Sequence, residues 1–283
     1  MKLSTHMRQE LQKKIDFAIR LLRTMSEAYG DVIEIAYSGG KDSDVILQLA
    51  KEAGINYRAI YKNTTIDPPG TIAHVKEMGV EIRQPEKRFF ELVAQKGFPT
   101  RHARFCCAYL KEYKILDKCI VGVRREESRS RAERYKEPTQ CRMFNKTDHV
   151  EQIMPILEWT NEDVAEFIAD RKIKCAPVYY DEQGNFHPER RLGCIGCPLA
   201  TKNRISELQQ YPGMVKALVR AGRKFMDSHP NSKVHHWFED EYEYFARQIF
   251  DKNKGIGSVA LNKEALFKDD YKALLENYFK IKL

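Results

Sequence analysis

The residues best suited to chemistry are the six at positions 38–43, Ser-Gly-Gly-Lys-Asp-Ser. Two consecutive glycines allow backbone N–H groups to approach a ligand closely, because neither carries a Cβ atom. The apolar stretch before them predicts a buried strand, and the stretch after them predicts a helix. A helix that starts there adds unpaired N–H groups and the positive end of its dipole. We therefore predict an anion site, with hydroxyls from Ser38 and Ser43 and a point charge from Lys41.

Four of the seven cysteines stand in two close pairs, Cys106-Cys107 and Cys194-x-x-Cys197. The second pair has metal-ligand spacing, and the flanking glycines permit the tight turn that such a knuckle needs. Adjacent cysteines suit one ion poorly, because their side chains normally diverge, whereas a cubane cluster offers four separate irons. This favours a [4Fe–4S] cluster over zinc. Zinc remains the alternative if only one of the adjacent pair ligates and Cys141 supplies the fourth sulfur.

The composition is that of an ordinary soluble globular protein, with 283 residues, 42% hydrophobic and 31% charged. The net charge of +8 suits a polyanionic ligand, either a nucleotide or a nucleic acid, although a moderately basic chain need not have one. An odd number of cysteines argues against a disulfide framework, and we expect Cys119 and Cys175 to be inert buried thiols. Because there is neither an apolar run of membrane-spanning length nor a signal-peptide pattern, we expect a cytoplasmic protein without a membrane partner.

The elements that must position these residues alternate between strands and helices. An amphipathic helix is predicted over 5–29. Helices separate the predicted strands, which cover 31–37, 56–61, 80–83 and 118–123. Such alternation implies parallel pairing through right-handed crossovers. We therefore predict an α/β fold with a doubly wound, mostly parallel sheet, followed by a C-terminal region that is helical in pattern.

Three parts of the chain are predicted from this pattern. Residues 1–29 form an N-terminal helix, residues 30–200 a nucleotide-binding domain with the cysteine metal site, and residues 201–283 a helical C-terminal region. The loop at 64–70 follows a strand, where ligands bind in open α/β sheets, so it is either a wall of the nucleotide pocket or a simple connector. The aromatic residues of the last part, Trp237 among them, are expected in its core rather than on a stacking surface.

The loop at 38–43 lacks the Walker pattern and closely resembles the PP-loop of the ATP pyrophosphatases, which cleave ATP between the α and β phosphates or bind an adenylylated substrate. Further motifs follow it in order: Cys106-Cys107 with Lys111, Gly122-x-Arg124-x-x-Glu127-Ser128, Pro155-x-x-x-Trp159-Thr160 and Gly193-Cys-Ile-Gly-Cys-Pro198. Over about residues 30–200 the chain therefore resembles the phosphoadenylylsulfate (PAPS) and adenylylsulfate (APS) reductase family, in its iron–sulfur branch.

The resemblance implies that ATP or an adenylylsulfate-type nucleotide binds with its phosphates on the whole loop, Ser38, Gly39, Gly40, Lys41, Asp42 and Ser43. It implies phosphate contacts from Arg124 and Arg125, and a [4Fe–4S] cluster on the four paired cysteines. Lys111 would place a cation near the cluster and the reacting group. Pyrophosphate would leave with help from the loop amides, Lys41 and Mg²⁺. Asp42 either positions that Mg²⁺ ion or caps the helix. The expected catalytic residues are Lys41, Asp42, Lys111 and Arg124.

The chain departs from the family in one motif. The family reductases use a nucleophilic cysteine in a C-terminal Glu-Cys-Gly-[Leu/Ile]-His motif, and residues 198–283 contain no cysteine. We therefore expect neither a covalent sulfo-enzyme intermediate nor thiol-dependent sulfite release from this chain alone. The resemblance then extends to relatives in DNA phosphorothioation and tRNA thiolation, which activate a substrate by adenylylation or assist sulfur transfer.

The activity that the sequence favours is cleavage of ATP to AMP and pyrophosphate in adenylylation or sulfur-transfer chemistry. One alternative is an APS or PAPS reductase that takes its thiol from an external donor. Another is a non-catalytic, nucleotide-binding regulatory protein that associates with DNA. Besides the nucleotide, the expected partner is a nucleic acid or a sulfur-donor protein.

Overall fold

The protein is described from a computed structural model, which covers residues 5–114, 116–143, 149–200, 203–250 and 270–283. Two compact units are formed. The first consists of Met1–Asn63, Pro68–Gln84 and Glu112–Gly193, and the second of Thr64–Asp67, Pro85–Lys111 and Cys194–Leu283. Among the helices described, none combines the length and apolarity that crossing a bilayer requires.

Six strands and twelve helices are described, along with short 3₁₀ turns at Arg125–Glu127 and Pro177–Tyr179. The strands are β1 (Ile33–Tyr37), β2 (Tyr57–Lys62), β3 (Glu81–Arg83), β4 (Lys118–Ile120), β5 (Thr139–Met143) and β6 (His149–Ile153). The helices are α1 (Thr5–Tyr29), α2 (Lys41–Ala53), α3 (Thr71–Glu77), α4 (Phe89–Lys96), α5 (Phe105–Leu110), α6 (Arg129–Arg134), α7 (Asn161–Asp170), α8 (Arg204–Gln210), α9 (Pro212–Ser228), α10 (Val234–Trp237), α11 (Glu241–Ile249) and α12 (Tyr271–Phe279).

The strands form one sheet in the first unit, in the order β3-β2-β1-β4-β6-β5. Every neighbouring pair is parallel except β5 and β6, which are antiparallel. The predicted doubly wound, mostly parallel α/β sheet is therefore confirmed. Its core forms between the sheet and the helices, with Ile33 and Ile35 of β1 fully buried beside Leu22 of α1 and Ile46 of α2.

The N-terminal helix and the helix after β6 form as their sequences predict. Leu11 and Ile15 of α1 are buried in the first core, as the periodicity of residues 5–29 indicates. At the start of α7, Thr160 Oγ1 accepts a hydrogen bond from Asp163 N at 3.2 Å, and Thr160 N donates to Asp163 Oδ2 at 2.7 Å. This capping box fixes the helix start.

The sequence differs from the structure in two places. Strands β5 and β6 are absent from the strands that the sequence predicts. Trp237 was expected in the core, yet it is 68% exposed, because α10 is a single turn and its neighbour Phe238 takes the inward position. The predicted C-terminal helical region also includes residues 251–269, which lie outside the described residues.

The second unit is mainly helical and has its own core. Leu92 and Val93 of α4 are fully buried in it, together with Val215 of α9 and Phe245 of α11. Both cysteine pairs belong to this unit, one on α5 and the other before α8. The cysteine segments, placed by the sequence within residues 30–200, thus group with the C-terminal helices.

Candidate functional site

The loop at 38–43 lies where the winding of the sheet changes direction. β1 pairs with β2 on one side and with β4 on the other, so the connections that leave these strands diverge. In open α/β sheets, ligands bind at this crevice beyond the carboxyl ends of the strands. Residues 38–43 follow β1, and residues 121–124 follow β4. The fold therefore brings the predicted anion loop next to the predicted phosphate-binding arginine.

Glycine is required at both central positions of the loop. Gly39 has φ +78°, and a Cβ atom there would lie 3.1 Å from Thr71 Cγ2. Gly40 is the N-cap of α2, and a Cβ atom there would lie 3.1 Å from the hydroxyl of Tyr179. Ser43 closes the turn, because its Oγ donates to Gly40 O at 2.6 Å. The backbone of the loop is thus held in one conformation before any ligand arrives.

Lys41, Asp42 and Arg124 form a chain of charges at the loop. Lys41 is buried, and its ammonium donates to Asp42 Oδ2 at 3.1 Å. The other carboxylate oxygen, Oδ1, accepts from Arg124 Nε at 2.7 Å. Gly122 permits this approach, because a Cβ atom there would lie 3.1 Å from the backbone of Asp42. Asp42 is therefore engaged with two cations, and the N-cap position, one of the two roles open to it, belongs to Gly40.

Arg124 lies deeper than its expected role on the phosphates requires. It is 1% exposed. Besides Asp42, its guanidinium donates to three acceptors, Glu126 Oε2 at 3.0 Å, Trp159 O at 3.3 Å and Asn161 Oδ1 at 2.9 Å. This arrangement favours a positioning role, in which Arg124 fixes Asp42. Arg125 donates to Tyr135 O at 2.8 Å and pairs with Glu158, so its side chain is also committed to the protein.

Sequence reasoning missed Tyr179 and Arg131. The Lys41 ammonium lies 5.4 Å from the ring centroid of Tyr179, whose hydroxyl accepts from Leu192 N at 3.3 Å. Burial lowers the pKa of Arg131, and the nearby charge of Arg191 lowers it further. The guanidinium of Arg131 also forms an ion pair with Glu127, four residues before it. The basic run at 124–131 was a signal for Arg131, whereas Tyr179 is far from the loop in sequence and had none.

Behind the loop, a buried polar cluster supports the start of α2. Tyr37 donates from its hydroxyl to Asp44 Oδ1, and His74 Nε2 lies 2.9 Å from the same oxygen. Asp44 is fully buried, and this burial raises the pKa of its carboxyl, although His74 and Tyr37 act in the opposite direction. The thiol of Cys175 also faces Asp44. His74 and Cys175 line a cavity of about 390 Å³ beside this cluster.

In the second unit, four half-buried thiols share one neighbourhood. A hydrogen bond with Cys107 raises the pKa of Cys106, and burial and the charges of Cys107, Cys194 and Cys197 raise it further. Cys106 therefore interacts with each of the three other cysteines that were predicted as ligands. Within the described part of the chain, no three His, Cys, Asp or Glu side chains converge as closely as a single ion demands.

The turn at Cys194–Cys197 is held by its backbone. Cys197 N donates to Cys194 O at 3.2 Å, and Gly196 between them has φ +70°. Two side chains of helix α8 form hydrogen bonds with the backbone of Gly196. Glu207 Oε2 accepts from Gly196 N at 3.1 Å, and Arg204 Nε donates to Gly196 O at 3.0 Å. The sulfur atoms of the knuckle are therefore positioned by α8.

Lys111 stands beside the thiols, as the resemblance implied. Desolvation opposes the charge on its ammonium, but the charges of Cys194 and Asp67 and a hydrogen bond with Cys194 raise its pKa overall. Burial raises the pKa of Cys194 to about 11, although Lys111 lowers it. Asp67 comes from the loop after β2, and Ile66 O in that loop accepts from Ile195 N at 2.9 Å. Residues 64–67 thus belong to the cysteine neighbourhood.

The remaining cysteines lie in the first unit. Cys119 and Cys175 are each 2% exposed, which agrees with the prediction of buried thiols. Burial raises the pKa of Cys119 to about 12, so it stays protonated at neutral pH. Cys141 is exposed on β5, with its sulfur 4.0 Å from His149 Nδ1.

Comparison with known proteins relates the chain to one family. The model of the phosphoadenosine phosphosulfate reductase domain matches residues 33–200. An uncharacterised protein of Methanocaldococcus jannaschii is 29% identical over 77% of this chain, and this chain spans 54%, about half, of its length. The adenosine 5′-phosphosulfate reductase of Oceanobacillus iheyensis is 26% identical over 64% of this chain and 77% of that protein.

Among solved structures, Candida glabrata FMN adenylyltransferase in complex with FMN and the ATP analog AMPCPP aligns with a TM-score of 0.47 at 13% identity, over 64% of each chain. The family match covers more than half of the sequence and includes the anion loop, Arg124 and all four paired cysteines. The chain therefore belongs to the phosphoadenosine phosphosulfate reductase family.

Proposed function

We propose that this chain binds ATP through the loop at 38–43 and cleaves it between the α and β phosphates. An acceptor atom of a second substrate would attack the α phosphorus, and the bond to the β phosphate would break. The products are an adenylylated substrate and pyrophosphate. AMP is then released when sulfur replaces the adenylyl group on the substrate. The observation that carries this proposal is the fixed Gly39–Gly40 backbone with the Lys41 ammonium at the switch crevice of the sheet.

Each residue of the loop has a physical task in this proposal. Backbone N–H groups of the glycines and of the start of α2 would hold phosphate oxygens. Lys41 would stabilise the charge that grows on the leaving pyrophosphate. Its ammonium is already shared with Asp42. An arriving phosphate therefore adds an anionic partner to a cation that Arg124 and Asp42 hold in place.

Mg²⁺ would bind between the phosphates and Asp42, whose two carboxylate oxygens already accept from Lys41 and Arg124 and would be shared with the ion. Carboxylate and phosphate oxygens are the ligands that Mg²⁺ prefers. The ion, when bound, neutralises charge on the leaving pyrophosphate. Arg124 would keep the carboxylate of Asp42 oriented toward it.

A [4Fe–4S] cluster fits the cysteine neighbourhood of the second unit. The donor set is four thiols, and all of them interact electrostatically with Cys106. Because Cys106 and Cys107 are adjacent in the chain, their side chains suit separate irons of a cluster better than one zinc ion. We therefore assign Cys106, Cys107, Cys194 and Cys197 as its ligands, and the cluster would supply redox-active iron. Lys111 would lie beside Cys194, where its charge offsets that of the thiolates.

Pyrophosphate release and ATP affinity test this function. Native protein is expected to release pyrophosphate from ATP in the presence of Mg²⁺ and an acceptor. Lys41→Ala should weaken ATP binding by about ten- to hundredfold, because it removes a charge-assisted contact. Lys51→Ala is the matched control, since Lys51 is an exposed lysine on the same helix. Unchanged ATP affinity in Lys41→Ala would contradict the proposal.

The family match favours a second candidate, reduction of APS or PAPS with a thiol from an external donor. Sulfite release after addition of thioredoxin, with a sulfonate adduct on a cysteine by intact-mass spectrometry, would support it. Pyrophosphate release from ATP without either result supports the first function. Tight nucleotide binding without any turnover would favour a nucleotide-binding regulatory protein.

A further inference from the structure

The connection between α4 and α5 is basic, and the proposed ATP chemistry makes no use of it. Residues 92–110 carry Lys96, Arg101, His102 and Arg104 but no aspartate or glutamate. Most of these cations lie outside regular structure, in the loop at 97–104. A helix-to-helix connection does not require such charge.

This loop forms a turn that two hydrogen bonds close. Thr100 N donates to Ala103 O at 3.2 Å, and Ala103 N donates to Thr100 Oγ1 at 3.0 Å. The two bonds place Arg101 and His102 at the tip, and both residues are exposed. Phe98 anchors the base of the loop, because its ring is buried in the second core. The charges are thus presented on a fixed support.

The cations of the loop lack acidic partners. Within the described ranges, Arg101 and Arg104 form no ion pair, and both are exposed. The ammonium of Lys96 lies 5.1 Å from the ring centroid of Tyr109. Tyr109 is itself 48% exposed, although it stands on a helix whose last residue, Leu110, is buried. An exposed aromatic ring with one lysine over its face therefore follows, in the chain, a loop that carries two exposed arginines.

From this arrangement we propose that the loop at 97–104 and Tyr109 form a binding surface for single-stranded nucleic acid. Lysine and arginine attract the phosphate backbone, and an exposed aromatic ring stacks on an unpaired base. A duplex hides the faces of its bases, so it cannot use Tyr109 in this way. A lipid surface fits less well, because membrane-binding helices present a continuous apolar face, and the apolar residues of α4 lie in the core.

The proposed surface leads directly to the thiols. Cys107 N donates to Arg104 O at 3.0 Å, so the last arginine of the loop is the N-cap of the helix that carries Cys106 and Cys107. A strand bound along the loop would therefore bring a base close to these cysteines. The inference does not rest on ATP cleavage, because binding can be measured without nucleotide.

Binding is tested with a fluorescein-labelled RNA of 20 nucleotides, the corresponding DNA strand and the duplex, by fluorescence anisotropy across a salt series. We expect both single strands to bind more tightly than the duplex, and their relative affinities identify the natural class. Three or four phosphate contacts predict that log K falls against log salt with a slope of about −2 to −3. The triple variant Lys96→Gln, Arg101→Gln, Arg104→Gln should flatten this slope by about 2.

Helix α9 provides a matched control. Lys216, Arg220 and Lys224 follow one another at helical spacing, and replacing all three with glutamine removes the same charge. This control variant should bind like the native protein. Tyr109→Ala should weaken binding by about five- to hundredfold, whereas Tyr109→Phe should retain most of the affinity.

Far-UV circular dichroism shows which variants fold. If Tyr109→Ala does not fold, Tyr109→Phe and the two triple variants are still compared with native protein. Equal losses in the two triple variants would overturn the proposal, because they would indicate charge attraction without a defined surface. Tighter binding to the duplex, or to vesicles of anionic lipid, would also overturn it.

Discussion

Arg124 carries a charge that is almost completely buried, and four acceptors surround it. The sequence shows only that it follows a strand within a basic run, and the family resemblance implies its contact with a phosphate. The burial of Arg124 and its hydrogen-bond partners depend on residues far away in the chain, such as Trp159 and Asn161. Neither could therefore be predicted from the sequence. In the structure Arg124 holds Asp42, and Asp42 in turn holds Lys41.

Replacing Arg124 tests this positioning role. Arg124→Met should lower the free energy of unfolding by about 2–4 kcal/mol, because the half-buried carboxylate of Asp42 loses one of its two cationic partners. Urea denaturation at pH 7 measures the change. Arg129→Ala, at an exposed position of the same run, should alter the stability by less than about 0.5 kcal/mol. Weaker ATP binding with unchanged stability would instead favour direct phosphate contact.

The buried carboxyl of Asp44 predicts a pH dependence of stability. Burial raises the pKa of Asp44 in the folded state. Its contribution is therefore fully present below its ordinary pKa of about 4 and is lost as the pH rises through the raised value. Asp44→Asn removes this titration while it keeps an oxygen for Tyr37 and His74. The unfolding free energy of the variant minus that of the native protein should rise between pH 4 and pH 8.

Urea titrations at several pH values measure this difference. Asp42 is left unchanged in this test, and His74→Gln, which retains the buried carboxyl but removes a group that lowers its pKa, should leave a pH-dependent difference from Asp44→Asn. A difference between Asp44→Asn and native protein that is independent of pH would show that Asp44 does not titrate differently on folding.

Among the elements, the strands with apolar runs could be predicted and the polar edge strand could not. Four of the five residues of β1 are buried, and the strand is rich in β-branched and aromatic residues. β5 reads Thr-Gln-Cys-Arg-Met, stands at the edge of the sheet and pairs only with β6. Its partner, rather than its own pattern, makes it a strand. For the same reason the sequence predicts the anion loop but misses Tyr179, which reaches it through tertiary packing.

Helix α8 should determine how firmly the cysteine knuckle holds metal. Arg204 is half-buried, and desolvation lowers its pKa to about 10; its guanidinium donates to the carbonyl of Gly196. Arg204→Ala should speed metal loss to a chelator by about ten- to hundredfold, because supporting residues orient the ligands. Metal content is measured by plasma mass spectrometry after timed exposure. Arg204→Lys should recover part of the retention, and Arg220→Ala on α9 should resemble native protein.

At the scale of the whole molecule, the two units have separate cores, so removal of metal should affect them differently. Anaerobically purified protein should be brown, absorb near about 400 nm and carry about four irons. Chelation should lower the unfolding midpoint of the second unit, because metal binding contributes to folding. ATP binding should persist, since its loop lies in the first unit. One zinc ion and no iron in anaerobic protein would contradict the cluster.

The second unit is assembled from three separate stretches of the chain, and the first unit fills the gaps between them. During synthesis, Cys106 and Cys107 therefore leave the ribosome well before Cys194 and Cys197. At about 5–20 residues per second, the interval is roughly 5–20 s. For that time two neighbouring thiols are without the other half of their site. Until then both thiols must stay reduced, and the proposed cluster could be inserted only after the later pair has emerged.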